Sequence, residues 1–243
     1  MVLLRLLKGI GRAPRAAAPA RAAAGNPLER WFFAHSGRLV HKWHHYFEIY
    51  HRHFARYRGR SPVVLEIGLF HGGSLEMWHE YFGAGVRLFG IDVDPRCRAY
   101  ADAQTTILIG NQADRTFLGE VRRQVPRIDV LIDDGGHRMN EQLTTFEELY
   151  PHVAEDGVYL CEDLHTSYWA SHGGGYRQPG TFVEFSKTLI DQLNAWHSRG
   201  PESFQVDAFT RTASSMHYYD SVLVIEKRPM RPPQHSQRGT PAF

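Results

Sequence analysis

Two pairs of adjacent carboxylates stand at the ends of two apolar runs in this 243-residue chain. The run "VLIDD" ends in Asp133 and Asp134, and the run "GVYLCED" ends in Glu162 and Asp163. If both runs are parallel strands of one sheet, their carboxyl ends meet at the same edge. Carboxylates gathered without counter-charge raise one another's pKa and weaken the fold. A hard divalent cation removes that problem, and oxygen ligands select Mg²⁺, Mn²⁺ or Ca²⁺ rather than zinc.

An imidazole accompanies the first pair, since His137 follows Asp134 by three residues in "DDGGH". A histidine beside a hydroxyl held at the cation can act as its general base. It can also bond to a liganding carboxylate and orient it, which is the alternative role. Capping of a helix N-terminus is an alternative for one acidic pair, but it does not account for two pairs on successive strands.

Three other predicted strand ends carry groups suited to a nucleotide-like ligand. Glycines in "EIGLFHGGS" let a ligand approach the backbone, and Ser74 is predicted to cap the next helix. Asp92 in "GIDVDP" can accept from a ribose diol, and Gln112 in "GNQAD" can meet a base edge. A tight turn for the glycines and a cap for Asp92 are the alternatives. The glycine spacing matches neither GxGxxG nor GxxxxGKS/T, which argues against hydride transfer and nucleotide hydrolysis.

Short apolar runs that alternate with helical patterns predict the elements that hold these residues in place. The five runs are "PVVLEIG", "VRLFGIDVD", "TTILIG", "IDVLIDD" and "GVYLCED". They lack polar alternation, which is typical of parallel strands buried on both faces. Helices are predicted at 74–82 and 140–153, so the fold class is α/β with a doubly wound sheet. The final runs "ESFQVDAF" and "YYDSVLVIEKR" are predicted to pair antiparallel as an edge hairpin.

Length and composition predict one domain with three flanking segments, because 243 residues that are 42% hydrophobic can bury one full core. The predicted segments are a basic, Ala/Arg-rich flexible leader at 1–28, a helical cap at 29–60, the domain itself at 61–228 and a disordered tail at 229–243. A targeting segment and a membrane-surface contact are alternatives for the leader.

The cap is aromatic, basic and rich in histidine between residues 31 and 57. Trp43, Phe47, Tyr50 and Phe54 recur at helical spacing, which predicts one buried helix face. Five histidines, at 41, 44, 45, 51 and 53, are interpreted as the polar face of this helix. A metal site is the alternative, but no acidic ligand cluster accompanies them in the segment.

Charge, cysteine content and hydropathy exclude several classes of protein. The formal net charge is +2 and the basic residues of the body are scattered, which argues against a nucleic-acid partner. Cys97 and Cys161 form no CxxC pair, which argues against a disulfide scaffold and fits a reducing compartment. No apolar run approaches the roughly 20 residues that span a bilayer. We therefore expect a cytoplasmic protein, with organelle targeting by the leader as the alternative.

Four motifs together resemble class I S-adenosylmethionine-dependent methyltransferases: "EIGLFHGGS", "GIDVDP", "DDGGH" and "EDLHTSYW". More narrowly, they resemble the metal-dependent sugar O-methyltransferases of macrolide biosynthesis, of the mycinamicin VI and demethylmacrocin type. The likeness covers roughly residues 61–227. It implies a Rossmann-like sheet of seven strands in the order 3-2-1-4-5-7-6, with strand seven antiparallel.

Carried onto this sequence, the resemblance implies that Asp134, Glu162 and Asp163 are metal ligands and that His137 is the general base. The implied cofactor contacts are Glu66, Gly68, Ser74, Asp92 and Gln112. The known sugar enzymes of this family carry a larger N-terminal region that shapes the acceptor pocket and assembles oligomers, whereas only about sixty residues precede the first strand here. The resemblance therefore does not imply the identity of the acceptor, and assembly as a homo-oligomer is left open.

The implied activity is Mg²⁺-dependent transfer of a methyl group from S-adenosylmethionine. The acceptor would be a hydroxyl of a sugar or other vicinal-diol small molecule, in natural-product or glycan biosynthesis. A catechol-like phenol as acceptor is one alternative, and a non-catalytic protein that retains the fold is another.

Overall fold

The computed structural model describes residues 25–200 and 204–243. Its seven strands form one sheet in the order β3-β2-β1-β4-β5-β7-β6. The strands are β1 Val63–Ile67, β2 Arg87–Asp92, β3 Thr105–Ile109, β4 Ile128–Asp133, β5 Val153–Cys161, β6 Ala213–Tyr219 and β7 Val222–Lys227. The first five are parallel, and β7 runs antiparallel to both β5 and β6. The predicted fold class, strand order and antiparallel seventh strand are confirmed.

Helices cover both faces of the sheet because its central strands are apolar on both sides. Every residue of β1 and of β4 is buried. Alternate residues enter opposite layers, so that Leu65 and Leu131 belong to one apolar cluster and Val64 and Val130 to the other. The helices are α1 Pro27–Ala34, α2 Tyr46–Phe54, α3 Gly73–Phe82, α4 Arg115–Gln124, α5 Met139–Leu149, α6 Phe182–Leu193 and α7 Ala208–Thr212. The first three share the layer of Val64, and the last four share the layer of Leu65.

The helix predicted from the spacing of Trp43, Phe47, Tyr50 and Phe54 does not extend over the whole pattern, because Trp43 lies outside it. Helix α1 ends at Ala34 and α2 begins at Tyr46, with a loop between them. Glu76 of α3 holds this loop, since its carboxylate accepts hydrogen bonds from the backbone N–H of Arg38 (3.1 Å) and from the Nε of Arg38 (2.8 Å). Backbone carbonyls of the loop also lie against Gly73, where any Cβ would come within 2.5 Å of them. These tertiary contacts stabilise a loop where the sequence pattern suggests a helix, and the periodicity of the sequence does not reveal them.

The loop changes the environment of one aromatic residue of the predicted stripe. Trp43 lies in the loop with half of its surface exposed, whereas Phe47, Tyr50 and Phe54 of α2 are buried. The ring of Phe54 packs against Trp78 of α3 at a centroid distance of 5.9 Å. The buried aromatic residues of the predicted stripe therefore lie on α2.

Two predicted boundaries also shift. Helix α1 begins at Pro27 with Asn26 as its cap, so the last residues of the predicted leader are helical. The remainder of the leader, residues 1–24, lies outside the described residues, and its flexibility stays a prediction. Residues 229–243, the predicted disordered tail, contain neither helix nor strand.

The first strand of the edge hairpin is not the predicted 202–209 run. Asp207 accepts from the backbone N–H of Thr210 (2.8 Å), and the Thr210 side chain accepts from the N–H of Asp207 (3.2 Å). This reciprocal cap starts the short helix α7, and β6 follows it at Ala213–Tyr219. Across residues 25–200 and 204–243, every helix falls short of the length and hydropathy needed to cross a membrane.

The divided cap leads to a stability prediction for two aromatic residues. We expect Phe54→Ala to lower the free energy of unfolding by roughly 3–5 kcal/mol, because it leaves a cavity beside Trp78. Trp43→Ala should change it by less than about 0.5 kcal/mol, because half of that side chain is already in solvent. Urea unfolding of both variants measures the difference. Equal losses would contradict the division of the cap.

Candidate active site

The ends of β4 and β5 bring three of the four predicted carboxylates together. Asp133 pairs with Cys161 across the two strands, so Asp134 and Glu162 leave adjacent strand ends. The N–H of Asp134 donates to the carbonyl of Ile67 (3.0 Å), which places this turn beside the glycine loop after β1. Asp133 is buried and points inward, and burial raises the pKa of its carboxyl to about 7. The acidic edge is therefore made by Asp134, Glu162 and Asp163.

A lysine that the sequence analysis missed lies inside this edge. The Nζ of Lys42 donates to both carboxylate oxygens of Glu162, at 3.0 and 3.1 Å, and also to the carboxylate of Asp134. Lys42 and Glu162 are only 7% and 1% exposed. Burial lowers the pKa of Lys42, but the charges of Asp134 and Glu162 outweigh it and raise that pKa overall. The expectation that the carboxylates lack a counter-charge is wrong.

Two tyrosines of α2 hold the second acidic pair. The hydroxyl of Tyr50 donates to Oε1 of Glu162 (2.7 Å), and the hydroxyl of Tyr46 donates to Oδ1 of Asp163 (2.7 Å). Residues four apart lie on one face of a helix, so a single helix supplies both donors. Burial raises the pKa of both phenols and keeps them protonated. Burial also raises the pKa of Glu162, and the charge of Asp134 adds to that rise.

His137 lies between the other two carboxylates without bonding to either. Its Nε2 is 3.7 Å from Oδ1 of Asp134 and 3.5 Å from Oδ2 of Asp163, beyond hydrogen-bond length. One ligand atom from each of the three residues lies within 4.8 Å of the others. Both His137 and Asp163 have left-handed backbones, with φ near 54° and 55°. Two converging oxygens and a nitrogen at this spacing leave room for one ion.

Two of the three predicted metal ligands, Asp134 and Asp163, fit a divalent cation, and the third, Glu162, faces elsewhere. Asp134 and Asp163 offer the hard oxygen atoms that Mg²⁺ prefers. The carboxylate of Glu162 instead faces Lys42 and Tyr50 and is outside the group formed around His137. Its role as third ligand requires Lys42 to give way, and it stays a prediction.

The predicted cofactor residues surround the same edge, and two of them are bonded inside the protein. Glu66 is buried and accepts from the hydroxyl of Ser74 (2.8 Å) and from Nε1 of Trp78 (3.0 Å). Burial raises the pKa of Glu66 to about 7. Ser74 is not the predicted helix cap, because Gly72 occupies that position. Gly68 has a φ of 89°, and a Cβ there would lie 2.0 Å from the carbonyl of Asp134.

Asp92 and Gln112 shape the loops that carry the site. Asp92 accepts from the backbone N–H of Leu69 (2.9 Å) and of Phe70 (3.1 Å), and so fixes the glycine loop. Gln112 is buried, and its amide donates to Oδ1 of Asp133 (2.9 Å) while its oxygen accepts from the N–H of Gly136 (2.9 Å). Direct contact of these side chains with a cofactor stays a prediction.

Comparison with known proteins finds relatives for most of the chain. A family model for a methyltransferase domain matches residues 65–164. Demethylmacrocin O-methyltransferase of Streptomyces fradiae is 35% identical over 78% of this chain and 51% of its own length. The 8-demethyl-8-(2-methoxy-alpha-L-rhamnosyl)-tetracenomycin-C 3'-O-methyltransferase of Streptomyces olivaceus is 35% identical over 85% of this chain and 56% of its own. The chain thus spans about half the length of the curated relatives it matches.

A solved structure shares the fold described above. The MycE methyltransferase of the mycinamycin biosynthetic pathway, in complex with Mg and SAH, aligns with a TM-score of 0.73 at 30% identity. The alignment covers 83% of this chain and 54% of that chain. The shared fold extends beyond the methyltransferase-domain match into the flanking segments.

The buried position of Lys42 predicts a large cost for removing its charge. We expect Lys42→Met to destabilise the fold by roughly 3–5 kcal/mol, because the buried carboxyl of Glu162 loses its counter-charge and must stay unpaired or bind a proton. The double variant Lys42→Met/Glu162→Gln should regain most of that loss, since the only charge left without Lys42 is that of Asp134, whose side chain is partly exposed.

The control for this measurement is a second lysine–glutamate pair. Lys187 bonds to Glu184 on α6 with half of its side chain exposed, so Lys187→Met should cost less than about 1 kcal/mol. Guanidinium unfolding compares the three variants. A Lys42→Met protein as stable as Lys187→Met would show that the buried pair carries no net attraction.

Proposed function

Since residues 65–164 belong to a methyltransferase domain family and the chain is related to sugar O-methyltransferases, we propose that this protein methylates a sugar hydroxyl. The methyl donor would be S-adenosylmethionine, and Mg²⁺ would be the metal. The observation that carries the proposal is the convergence of Asp134, Asp163 and His137 at the carboxyl edge of the sheet. In an open α/β sheet, ligands bind at that edge.

The acidic residues supply a cation site, and the cap orients it. Bound Mg²⁺ would polarise the acceptor hydroxyl and fix its direction. Asp134 and Asp163 would hold it, and Tyr46 turns the carboxylate of Asp163 toward His137 by bonding to its other oxygen. Glu162 would join as a third ligand once Lys42 moves aside.

His137 is placed to take the proton from that hydroxyl at its Nε2. The two carboxylates, 3.5 and 3.7 Å away, stabilise the positive charge that the ring then acquires. Within the described residues, Nδ1 of His137 is buried and has no hydrogen-bond partner. Because neither carboxylate lies within hydrogen-bond length of Nε2, the base role is favoured over a purely orienting one.

The cofactor residues act mainly through the backbone they position. S-adenosylmethionine would supply an activated methyl group on a sulfonium centre. Asp92 bonds to the N–H groups of the glycine loop, and Gly68 lets that loop pass close to Asp134. Glu66 and Gln112 brace the same strand ends from inside. We propose that the backbone of these strand-end loops, more than free side chains, binds the cofactor.

Aromatic residues near the acidic edge support a glycosylated small molecule as the acceptor. Trp43 follows Lys42 in the chain and Trp169 lies six residues after Asp163. Both are about half exposed, and His165 lies between them at ring distances of 6.2 and 4.7 Å. Aromatic faces with an apolar body suit the ring faces of a sugar. The name of the tetracenomycin enzyme contains a rhamnosyl-bearing acceptor, which supports this choice. We also propose a cytoplasmic location, with organelle targeting by the leader as the alternative.

Methyl-transfer assays with two site variants test the proposed roles. We expect Asp134→Asn to lower turnover more than His137→Ala, because metal positioning can supply up to roughly 7–11 kcal/mol of barrier reduction. Loss of the general base costs about 10²–10⁴-fold. Product mass after incubation with deoxysugar glycosides, and with catechols for comparison, reports one added methyl group.

An exposed acid serves as the control, since Asp191→Asn on α6 should leave turnover unchanged. Calorimetric titration with S-adenosylmethionine, with and without Mg²⁺, separates the remaining outcomes. Tight cofactor binding without turnover on any acceptor would favour a non-catalytic protein. No cofactor binding under either condition would refute the proposal.

A further inference from the structure

A second group of metal-ligating side chains lies on the face of the edge hairpin that α2 covers. His53 comes from α2, His217 from β6 and Glu226 from β7. His53 is seven residues beyond Tyr46, or about 10 Å farther along the helix from the acidic edge. The group shares no residue with that edge.

Contacts among these side chains bring their donor atoms close. The Nδ1 of His53 is 2.8 Å from Oε1 of Glu226, and the rings of His53 and His217 are 4.8 Å apart. One ligand atom from each of the three lies within 4.8 Å of the others. The ligands of a tetrahedral ion with bonds near 2.0–2.1 Å stand about 3.3 Å apart. Small side-chain rotations therefore bring three ligands onto one ion.

We propose that His53, His217 and Glu226 bind a divalent transition-metal ion of the zinc class. Two imidazole nitrogens and one carboxylate form a set that suits zinc, whereas Mg²⁺ prefers oxygen ligands. A water completes the tetrahedron. When Nδ1 of His53 faces the ion, the ring donates from Nε2 to the hydroxyl of Tyr219, 2.9 Å away, and this bond fixes its orientation.

Burial supports a ligand role for His53. Its side chain is only 3% exposed, contrary to the predicted polar face of the cap. Burial lowers the pKa of His53, although Glu226 opposes the effect, so the ring is held neutral with a lone pair to donate. His217 and Glu226 are half-buried and give an ion a path from solvent.

The ion would join the last turn of α2 to the hairpin, and the same helix carries Tyr46 and Tyr50 in its preceding turns. Strand β7 of the hairpin pairs with β5, and Glu162 directly follows β5. Metal binding here would thus fix the helix that orients Asp163 and Glu162. This inference stands on its own residues and does not depend on the proposed methyl transfer.

Metal titration of four variants tests the inference. Metal-stripped protein is titrated with Zn²⁺ in competition with a chromophoric chelator, and then with Co²⁺, whose visible absorption reports tetrahedral coordination. Wild-type protein should bind Zn²⁺ in this site, and His217→Ala and Glu226→Gln should each weaken that binding at least tenfold. Asp134→Asn/Asp163→Asn, which disables the acidic edge, should retain it.

The control is His51→Ala, because His51 lies on the same helix and bonds to a tyrosine hydroxyl without joining the group. Circular dichroism of each variant establishes that it is folded. If His217→Ala does not fold, Glu226→Gln still tests the site, because it keeps the size of the side chain. Tight Zn²⁺ binding that persists in both variants reflects other histidines and overturns the inference. Loss of binding in the Asp134/Asp163 variant, or no tight binding by wild-type protein, overturns it as well.

Discussion

The buried ion pair of Lys42 with Glu162 and Asp134 is the interaction on which the candidate site depends. Two carboxylates leave neighbouring strand ends, and that of Glu162 is nearly sealed from water, where an unpaired charge is costly. One ammonium group bonds to both and offsets that cost. It reaches them from the loop between α1 and α2, so the cap is part of the site.

The strands and the acidic edge could be predicted because each follows from a local pattern. Unbroken apolar runs identified five parallel strands, and polar residues at their ends identified the edge. The strand order came from resemblance, since pairing between distant segments leaves no local pattern. The hairpin strand was misplaced because the cap of Asp207 on α7 outweighs the apolar character of the preceding run.

Lys42 could not be found by the same reasoning. It precedes Trp43 in a stretch whose helical periodicity hid a loop, and the loop is fixed by tertiary contacts with Glu76 and Gly73. One signal was present, because the chain has few lysines and carries most of its positive charge on arginine. Asp92 and Gln112 are a different case. Their location at strand ends predicted contacts with a ligand, but in the structure they accept hydrogen bonds from the backbone of the site loops.

The left-handed backbone at His137 and Asp163 lowers the stability of the fold at the candidate site. Side chains other than glycine usually avoid that conformation, at a cost of roughly 1–2 kcal/mol per residue. The surrounding packing must absorb this strain at both positions, next to a cluster of like charges. A chain optimised for durability alone would place glycine at each turn. The imidazole of His137 and the carboxylate of Asp163 occupy these turns instead, which indicates that chemistry outweighs stability at both positions.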